Sequence, residues 1–360
     1  MKILIIGPFS PPITGESLAN DTVLKNLKKD SKFTTEYINN AFPIFKENSG
    51  AFSFSKTYFY FLKYINIYKV FRNQIVYITL GQTFFGVLKY APFILLSKIL
   101  NKKIIIHIHG NHIGIEYQKQ KGIKKRILKS LVSSADRGIV LSELLIPNLS
   151  PFLSKGNVFI LSNFVEDYLI LPEDKITNLK TTDTLKIVYL SNLMTEKGVL
   201  DLIGALKILN KKGVKYKAKL AGNIDVSIKD KILSKIDKNN LIEYLGVVSG
   251  LKKKELLLWA NVFTFPSYYP IEGQPISLLE AMATGNIILT TKHAGIPDIF
   301  SEANGFYINK KDPYDIASKL SYVAKNLQNL QPMMVNNYKY ASSTFTEEKF
   351  INKLKMILLN

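Results

Sequence analysis

Short apolar runs alternate with amphipathic segments along the chain, and this alternation predicts repeated strand–helix units. In the first half, continuous apolar runs predict buried strands at 2–6, 75–80, 103–109, 138–141 and 158–161. Helical spacing of apolar residues predicts helices at 16–29, 56–71, 86–100 and 118–133. Strands that are apolar on both faces are typical of a parallel sheet covered by helices, so we expect a doubly wound α/β domain.

The second half repeats this pattern, with predicted strands at 185–190, 217–221, 241–245, 261–265 and 286–290. Predicted helices follow at 197–211, 227–238, 251–258, 276–284, 312–327, 331–342 and 346–359. Because 360 residues are long for a single core, we expect two domains. The predicted domains are 1–165 and 185–342, with a polar linker at 166–184 and a C-terminal helix at 343–360.

One strand–loop–helix–strand unit, at 265–298, carries the most informative residues. After the strand, a loop contains Glu272, and Pro275 opens a helix, where its missing N–H costs nothing. The helix ends at Gly285, which suits a left-handed C-cap. A second carboxylate, Glu280, lies about a turn and a half inside this helix.

This spacing predicts a site for a ligand with an anionic centre and hydroxyls on both sides. The amides of Gly273, Gln274 and Ile276 lie at the positive end of the helix, where they suit a phosphate. Two flanking carboxylates accept hydrogen bonds from hydroxyls, which matches the ribose, diphosphate and hexose of a nucleotide-sugar. In the structural alternative, Ser277 and Glu280 form a capping box and Glu272 is a solvated acid, although Pro275 would start the helix too early for that box.

The same stretch resembles the signature of the retaining glycosyltransferases of family 4, of the bacterial surface-polysaccharide type. In that family a Glu, seven residues and a second Glu are followed by Ala-Met-Ala-x-Gly and a glycine-containing loop. The chain has Glu272, Glu280, Ala281-Met-Ala283, Gly285 and Gly295-Ile-Pro-Asp298 in that order. The resemblance implies a GT-B fold, with two Rossmann-like domains facing a central cleft and a C-terminal helix crossing back to the first domain.

The resemblance also implies roles for residues outside this stretch. His109 matches the histidine that contacts the donor sugar near the reacting carbon, and Gly15 matches a glycine against the diphosphate and the acceptor. Lys197 matches the lysine that grips the donor phosphates, whereas Asn192 replaces the family's arginine. The loss of that bidentate guanidinium is not a conservative change, so Lys197 and the amides of residues 273–276 are expected to carry more of the charge. From the sequence itself, Gly15 also fits an ordinary connection in which Thr14 caps the helix.

The histidines and acidic residues predict a metal-independent enzyme. His107, His109 and His112 lie close together with Glu116, so zinc binding is an alternative to a sugar contact. No Asp-x-Asp pair accompanies the expected diphosphate, and we therefore expect neither a metal nor a cofactor. Zero cysteines exclude disulfides and fit a reducing compartment.

The net charge of +20 indicates either an anionic partner or simply a lysine-rich proteome. The predicted helix at 118–133 is basic and amphipathic, so it suits an anionic membrane surface; alternatively it packs its apolar stripe on the sheet. No segment predicts a signal peptide or a membrane span. The cations proposed to meet the membrane are Lys119, Lys121, Lys124, Lys125, Arg126 and Lys129.

Together these features predict a retaining transferase that moves a hexose from a nucleotide-sugar, most simply a UDP-sugar, to a lipid-linked saccharide. Such an enzyme would act in the cytoplasm at the inner face of the plasma membrane, in synthesis of a polysaccharide such as an O-antigen or a capsule. Two alternatives stay open: a nucleotide-sugar epimerase on the same fold, and a basic anion- or nucleic-acid-binding protein. The cations are mostly scattered lysines, which is not typical of a nucleic-acid surface.

Overall fold

The computed structural model describes residues 1–42, 54–236 and 240–359, and the chain divides into two compact units. Unit 1 comprises Met1–Asn163, Ile271–Gln274 and Glu348–Asn360. Unit 2 comprises Phe164–Pro270 and Pro275–Glu347. The short segment Ile271–Gln274 therefore belongs to unit 1, although the strand and the helix on either side of it belong to unit 2.

Unit 1 contains a parallel sheet of six strands in the order β2-β1-β3-β4-β5-β6. The strands are β1 Lys2–Gly7, β2 Thr34–Asn39, β3 Ile75–Thr79, β4 Lys103–Ile108, β5 Arg137–Val140 and β6 Val158–Ile160. Ile3, Leu4, Ile5 and Ile6 are all fully buried, because helices cover both faces of the sheet. The sequence did not predict β2, which lies at the edge and buries only Ile38.

Apart from α1, which matches its prediction to within one residue, the helices of the first part of unit 1 are shorter than predicted. They are α1 Gly15–Lys29, α2 Phe54–Lys63, α3 Lys69–Arg72, α4 Phe84–Leu88, α5 Ala91–Ile99, α6 Ile113–Lys119 and α7 Gly122–Val132. The predicted helix at 86–100 is broken because Pro92 lies in the first turn of a new helix. The predicted helix at 118–133 is broken where Gln120 is extended and Gly122 has a φ of +54°.

Unit 2 contains a second parallel sheet of six strands in the order β12-β11-β10-β7-β8-β9. The strands are β7 Leu185–Leu190, β8 Tyr216–Ala221, β9 Ile242–Tyr244, β10 Val262–Phe265, β11 Ile287–Thr290 and β12 Gly305–Tyr307. This is the doubly wound order: β8 and β9 are added on one side of β7, and β10, β11 and β12 are added on the other side. The switch point of unit 2 therefore lies between the carboxyl ends of β7 and β10.

Eight further helices follow along the chain: α8 Glu173–Leu179, α9 Val199–Lys211, α10 Lys229–Ile236, α11 Gly250–Trp259, α12 Ile276–Ala283, α13 Pro313–Asn326, α14 Gln331–Thr344 and α15 Glu347–Leu359. They bury two apolar clusters, one on each face of the sheet. From Glu348 onwards, α15 belongs to unit 1. There Lys355 forms an ion pair of 2.6 Å with Asp30, and Lys103 donates to the carbonyl oxygen of Leu358 over 3.2 Å.

The segment expected to be a linker, 166–184, instead folds onto unit 2. Leu169 and Ile176 are buried in unit 2, and α8 packs on α14. Lys180 is also buried, and its ammonium donates to the carbonyl oxygens of Leu257 and Ala260. Burial among neutral acceptors lowers the pKa of Lys180 well below its ordinary value. These anchors are too widely spaced to produce a helical or strand period in the sequence.

Candidate functional site

The loops that follow β7 and β10 pack tightly together at the switch point of unit 2. Gly198 has a φ of +75°, and a Cβ there would lie 2.8 Å from the carbonyl carbon of Pro266. The amide of Tyr268 donates to the carbonyl oxygen of Glu196 over 2.8 Å, which joins the two loops. Open α/β sheets bind ligands at such a point, so this edge of unit 2 is the first place to look for a ligand site.

Lys197 is held at this edge by aromatic rings. Its ammonium nitrogen lies 4.8 Å from the ring centre of Tyr269 and 5.4 Å from that of Phe265. The Tyr189 hydroxyl donates to the carbonyl oxygens of Asn192 and Lys197, over 2.9 Å and 3.4 Å, and so fixes the loop between them. Cation–π contacts of this kind hold an ammonium group in place against the ring faces.

Pro275 is the N-cap of α12 and has a ψ of 119°. Its carbonyl oxygen accepts from the amide of Leu278 over 3.2 Å. No side chain caps this helix, so the capping box of Ser277 and Glu280 does not form. In the described part of the chain, we find no protein acceptor for the amides of Gly273, Gln274 and Ile276. These amides are suitable donors for an anionic ligand.

Glu280 is buried inside α12 and is paired with a lysine of α11. Its Oε1 accepts from the Lys253 ammonium over 2.6 Å, and Lys253 also donates to Oε2 of Glu166. Burial raises the pKa of Glu280, and the neighbouring Lys253 opposes that rise. Burial would lower the pKa of Lys253, but the two carboxylates outweigh this and raise it above its ordinary value. We therefore treat Lys253 as a permanent cation that Glu280 and Glu166 share.

The loop Ile271–Gln274 is fixed against the carboxyl end of β4 by contacts within unit 1. A Cβ on Gly273 would overlap the carbonyl oxygen of His109 and would lie 2.8 Å from its carbonyl carbon. A Cβ on Gly110 would likewise overlap the carbonyl oxygen of Ile271. Two glycines are thus required because the two backbones touch at this point.

The side chain of Gln274 fastens the same loop through hydrogen bonds to two other segments of unit 1. Its Oε1 accepts from the amide of Asn163 over 2.6 Å, and its Nε2 donates to the carbonyl oxygen of Leu141 over 3.3 Å. The Asn163 side chain returns a hydrogen bond of 2.7 Å to the Gln274 carbonyl oxygen. Glu272, which is 5% exposed, is therefore carried by a loop with little freedom to move.

His109 follows β4, is half-buried, and has a neutral imidazole. Burial lowers the pKa of His109 to about 4, and its Nε2 has no hydrogen-bond partner among the described residues. Its ring lies 4.0 Å from that of His107, which shares a hydrogen bond of 2.5 Å with the hydroxyl of Tyr77. A buried polar atom without a partner is costly, so Nε2 of His109 is suited to bind a ligand hydroxyl.

The histidines do not assemble the zinc site that the sequence left open. His112 lies 3.7 Å from Glu116, but Glu116 also accepts hydrogen bonds from the amide of Phe84 and from Gln120. Among residues 1–42, 54–236 and 240–359, no three His, Asp or Glu side chains are placed to hold a metal ion.

Gly15 lies in the first turn of α1, directly after its N-cap. Thr14 Oγ1 accepts from the amide of Ser17 over 3.1 Å, and Ser17 Oγ accepts from the amide of Thr14 over 2.8 Å. The loop is therefore the ordinary connection that the sequence also allowed, in which Thr14 is the N-cap of α1. No contact in unit 1 assigns a ligand to Gly15, and its binding role stays a prediction.

Within each unit the structure brings part of the predicted site together. In unit 1, His109 touches the loop that carries Glu272, Gly273 and Gln274. In unit 2, Asn192 and Lys197 follow β7, while Pro275, Ile276 and Glu280 belong to α12. Sequence reasoning missed Lys253, Glu166 and Tyr269. Lys253 is the middle one of three consecutive lysines, and no pattern in the sequence distinguishes it from its neighbours.

Comparison with known proteins identifies one part of the chain. Residues 172–340 match the family described as Glycosyl transferases group 1. The amylovoran biosynthesis glycosyltransferase AmsK of Erwinia amylovora is 25% identical over 191 residues, which are 50% of this chain and 47% of AmsK. The chain therefore spans about half the length of this relative.

A second relative matches over a shorter range. The N,N'-diacetylbacillosaminyl-diphospho-undecaprenol alpha-1,3-N-acetylgalactosaminyltransferase of Campylobacter jejuni is 34% identical over 86 residues, or 24% of this chain and 22% of that protein.

Solved structures establish the fold of the whole chain. The crystal structure of Anabaena HepE in complex with UDP-glucose has a TM-score of 0.74 and 16% identity, and the match covers 99% of both chains. With its two parallel six-stranded sheets, the chain has the GT-B fold, and the predicted fold class is confirmed.

Proposed function

From the group 1 glycosyltransferase domain at residues 172–340, we propose that the chain is a retaining hexosyltransferase with a UDP-sugar donor. Its acceptor would be a lipid-linked saccharide in the synthesis of a surface polysaccharide such as an O-antigen or a capsule. The observation that carries the proposal is the group of donor-type residues at the switch point of unit 2. There Lys197 and the free amide of Ile276 suit a diphosphate, and Glu280, inside α12, suits ribose hydroxyls.

Unit 1 supplies the groups proposed to hold the transferred hexose. Glu272 would accept hydrogen bonds from sugar hydroxyls and align the reacting carbon. His109 would use its free Nε2 on the same sugar. Two observations support this assignment: the Glu272 loop is fixed against His109, and Glu272 is buried while His109 is half-buried. Positions held this tightly allow catalysis by orientation.

Catalysis in this proposal is largely electrostatic. Negative charge develops on the departing UDP, and Lys197 with the amides of Gly273, Gln274 and Ile276 would stabilise it. The proposal includes no covalent nucleophile, no cofactor and no metal. Asn192 would contribute a neutral amide where an arginine is expected, so most of the positive charge would come from Lys197. Gly15 would lie against the diphosphate and the acceptor.

A lipid-linked acceptor would place the enzyme at the cytoplasmic face of the plasma membrane. The relative from Campylobacter supports this, because its name gives a diphospho-undecaprenol-linked saccharide as acceptor. In the described residues we find no helix that is both long enough and apolar enough to cross a bilayer. Attachment would therefore be peripheral, and the cations of α6, α7 and the turn between them would contribute to it.

Most of the apolar stripe of α7 is not available for insertion into a bilayer. Leu128 and Leu131 are buried in the core of unit 1, as in the alternative in which this helix packs on the sheet. Ile123 of the stripe is exposed, and the cations proposed for lipid contact are Lys119, Lys121, Lys124, Lys125, Arg126 and Lys129. Lys124 and Lys125 already lie over the rings of Phe84 and Tyr117, at 5.7 Å and 4.7 Å.

Another surface of unit 1 offers the apolar contribution that α7 lacks. From α2 to α3, six large apolar side chains at helical spacing are exposed: Tyr58, Phe61, Leu62, Ile65, Tyr68 and Phe71. Between Glu47 and Glu116 the sequence has Lys and Arg residues but no Asp or Glu. An exposed apolar face in a stretch of sequence that has cations but no acids suits anionic lipid, and we include it in the proposed attachment surface.

Sugar transfer is tested with a panel of UDP-, GDP- and ADP-sugars and a short lipid-linked saccharide in detergent, with and without EDTA. We expect a glycosylated lipid from one UDP-sugar, with the anomeric configuration of the donor retained by NMR, and no product from Glu272→Gln. An epimerised nucleotide-sugar formed without any acceptor would contradict the proposal. Flotation with anionic or neutral vesicles tests the attachment, and binding that Ile65→Ser and Phe61→Ser leave unchanged would exclude the apolar face.

A further inference from the structure

The side chains of Glu166, Lys253 and Glu280 form a connected cluster of ion pairs, which a contact between Glu280 and a ribose would not by itself require. Lys253 connects α11 to Oε1 of Glu280 in α12 over 2.6 Å and to Oε2 of Glu166 in the preceding segment. The side chains of Lys253 and Glu280 are 10% and 3% exposed, so these charges are largely removed from water. The ring of Tyr168 lies 5.8 Å from the ammonium, and its hydroxyl donates to Glu166 over 3.3 Å.

We propose that Lys253 is a positioning residue for nucleotide binding, which holds Glu280 in its ionised form and in one orientation for a ribose hydroxyl. This inference rests on the proposed function, because it assumes that Glu280 meets the ribose. Lys253 donates to Oε1 of Glu280, and the carboxyl group of Glu280 also interacts with that of Glu166. The ammonium that both carboxyl groups share thus fixes the orientation of Glu280.

Charge balance explains why Lys253 is needed. The cluster contains two carboxylates and one ammonium, so removal of Lys253 would leave the buried Glu280 and the partly exposed Glu166 without their shared cation. Burial raises the pKa of Glu280, and Lys253 is the group that lowers it again. Without Lys253, burial and the neighbouring Glu166 would therefore favour the protonated form of Glu280. A protonated carboxyl group accepts hydrogen bonds poorly and would discriminate weakly between a hydroxyl and a hydrogen.

The neighbouring lysines supply a matched control. Lys252, Lys253 and Lys254 are consecutive in α11, but only Lys253 is buried, and Lys252 is exposed. Loss of the Lys252 charge changes the net charge and the helix composition by the same amount, without any effect on Glu280. A difference between variants at positions 252 and 253 therefore reports the buried pair.

The test compares the affinities of UDP and 2′-deoxy-UDP by calorimetry as a function of pH. The ratio of the two dissociation constants cancels the titration of the phosphates and reports the ribose hydroxyl. In the unmodified protein we expect a ratio of about 10 to 100, as for a hydrogen bond to a charged group. In Lys253→Met the ratio should fall to about 1–3 and should recover as the pH is raised and Glu280 ionises.

Lys253→Arg should restore the ratio near neutral pH, and Lys252→Met should leave it unchanged. Lys253→Gln can still donate a hydrogen bond but has no charge, and it serves if the methionine variant does not fold. Because the proposal depends on the charge of Lys253, the Lys253→Gln variant should behave like Lys253→Met. A folded Met or Gln variant that keeps the full ratio near neutral pH would overturn the inference about Lys253 but not the proposed ribose role of Glu280. An unmodified protein that does not distinguish UDP from 2′-deoxy-UDP would overturn the ribose role of Glu280 as well.

Discussion

The contact between Gly273 and His109 allows a quantitative test of the claim that a fixed loop orients Glu272. Gly273→Ala adds a Cβ that would lie 2.8 Å from the carbonyl carbon of His109, where an ordinary contact needs at least 3.4 Å. The overlap with the carbonyl oxygen is larger still, and both partners are backbone atoms that cannot rotate away. Relief therefore requires the loop to move by roughly 1 Å, a displacement that costs about 100-fold in rate when it affects a reacting group.

We expect kcat/KM of Gly273→Ala to fall by about 100-fold, mostly through kcat. The affinity for UDP should fall less than kcat/KM, because Lys197, Ile276 and Glu280 belong to unit 2 and are not part of the overlap. The assay measures transfer kinetics with the donor sugar and, separately, the dissociation constant of UDP. The matched control is Gly156→Ala, since a Cβ at Gly156 would have no atom within 4 Å.

A Gly273→Ala protein with kcat/KM within about threefold of the unmodified protein would refute this reasoning, because the loop would then tolerate the displacement. An equal loss in Gly156→Ala would also refute it, since the effect would then not depend on the contact. A crystal structure of the variant would show directly whether Glu272 has moved.

Three further predictions concern single groups of the site. Lys197→Ala should lower kcat by about 100-fold or more, because the cation that faces the departing diphosphate is lost; rate measurements near saturating donor would contradict this if kcat were unchanged. Burial lowers the pKa of His109 from 6.5 to about 4, so the free energy of unfolding should decrease as the pH falls below 6.5 and the unfolded state takes up a proton. Urea unfolding at several pH values should show a smaller decrease for His109→Asn, and an unchanged slope would exclude His109 as a source of it. Treatment with EDTA should leave the transfer rate unchanged, and a loss restored by Mg²⁺ would contradict the metal-independent mechanism.

The central strands were predictable because each is buried on both faces. Residues such as Ile3–Ile6 and Ile104–Ile106 form continuous apolar runs, which require no knowledge of the partner strand. The edge strands β2 and β12 were missed because neither contains a continuous apolar run: β2 reads TTEYIN and β12 reads GFY. In β12, Gly305 has a φ of +157° and the strand is only three residues long. The sequence pattern therefore reports burial better than it reports hydrogen bonding.

The candidate site was predictable where a motif lies in one local stretch. Glu272 and Glu280 are eight positions apart in a loop and helix whose start and end follow from Pro275 and Gly285. The residues that hold them are distant in sequence. Glu166 and Lys253 come from separate segments, and His109, in the first half of the chain, contacts Gly273 in the second half. Contacts of this kind depend on the packing of the sheets, and no local period encodes them.

The central claim is that a UDP-sugar donor binds through Glu280, and thermal stability with nucleotides tests it most directly. Purified protein is heated with UDP, GDP or ADP, each without Mg²⁺, and the same series is repeated with Glu280→Ala. We expect UDP alone to stabilise the protein, by about 2.7 kcal/mol at 100 times its dissociation constant, and the variant to lose this effect. Equal behaviour of the three nucleotides, or a UDP effect that survives in Glu280→Ala, would contradict the account.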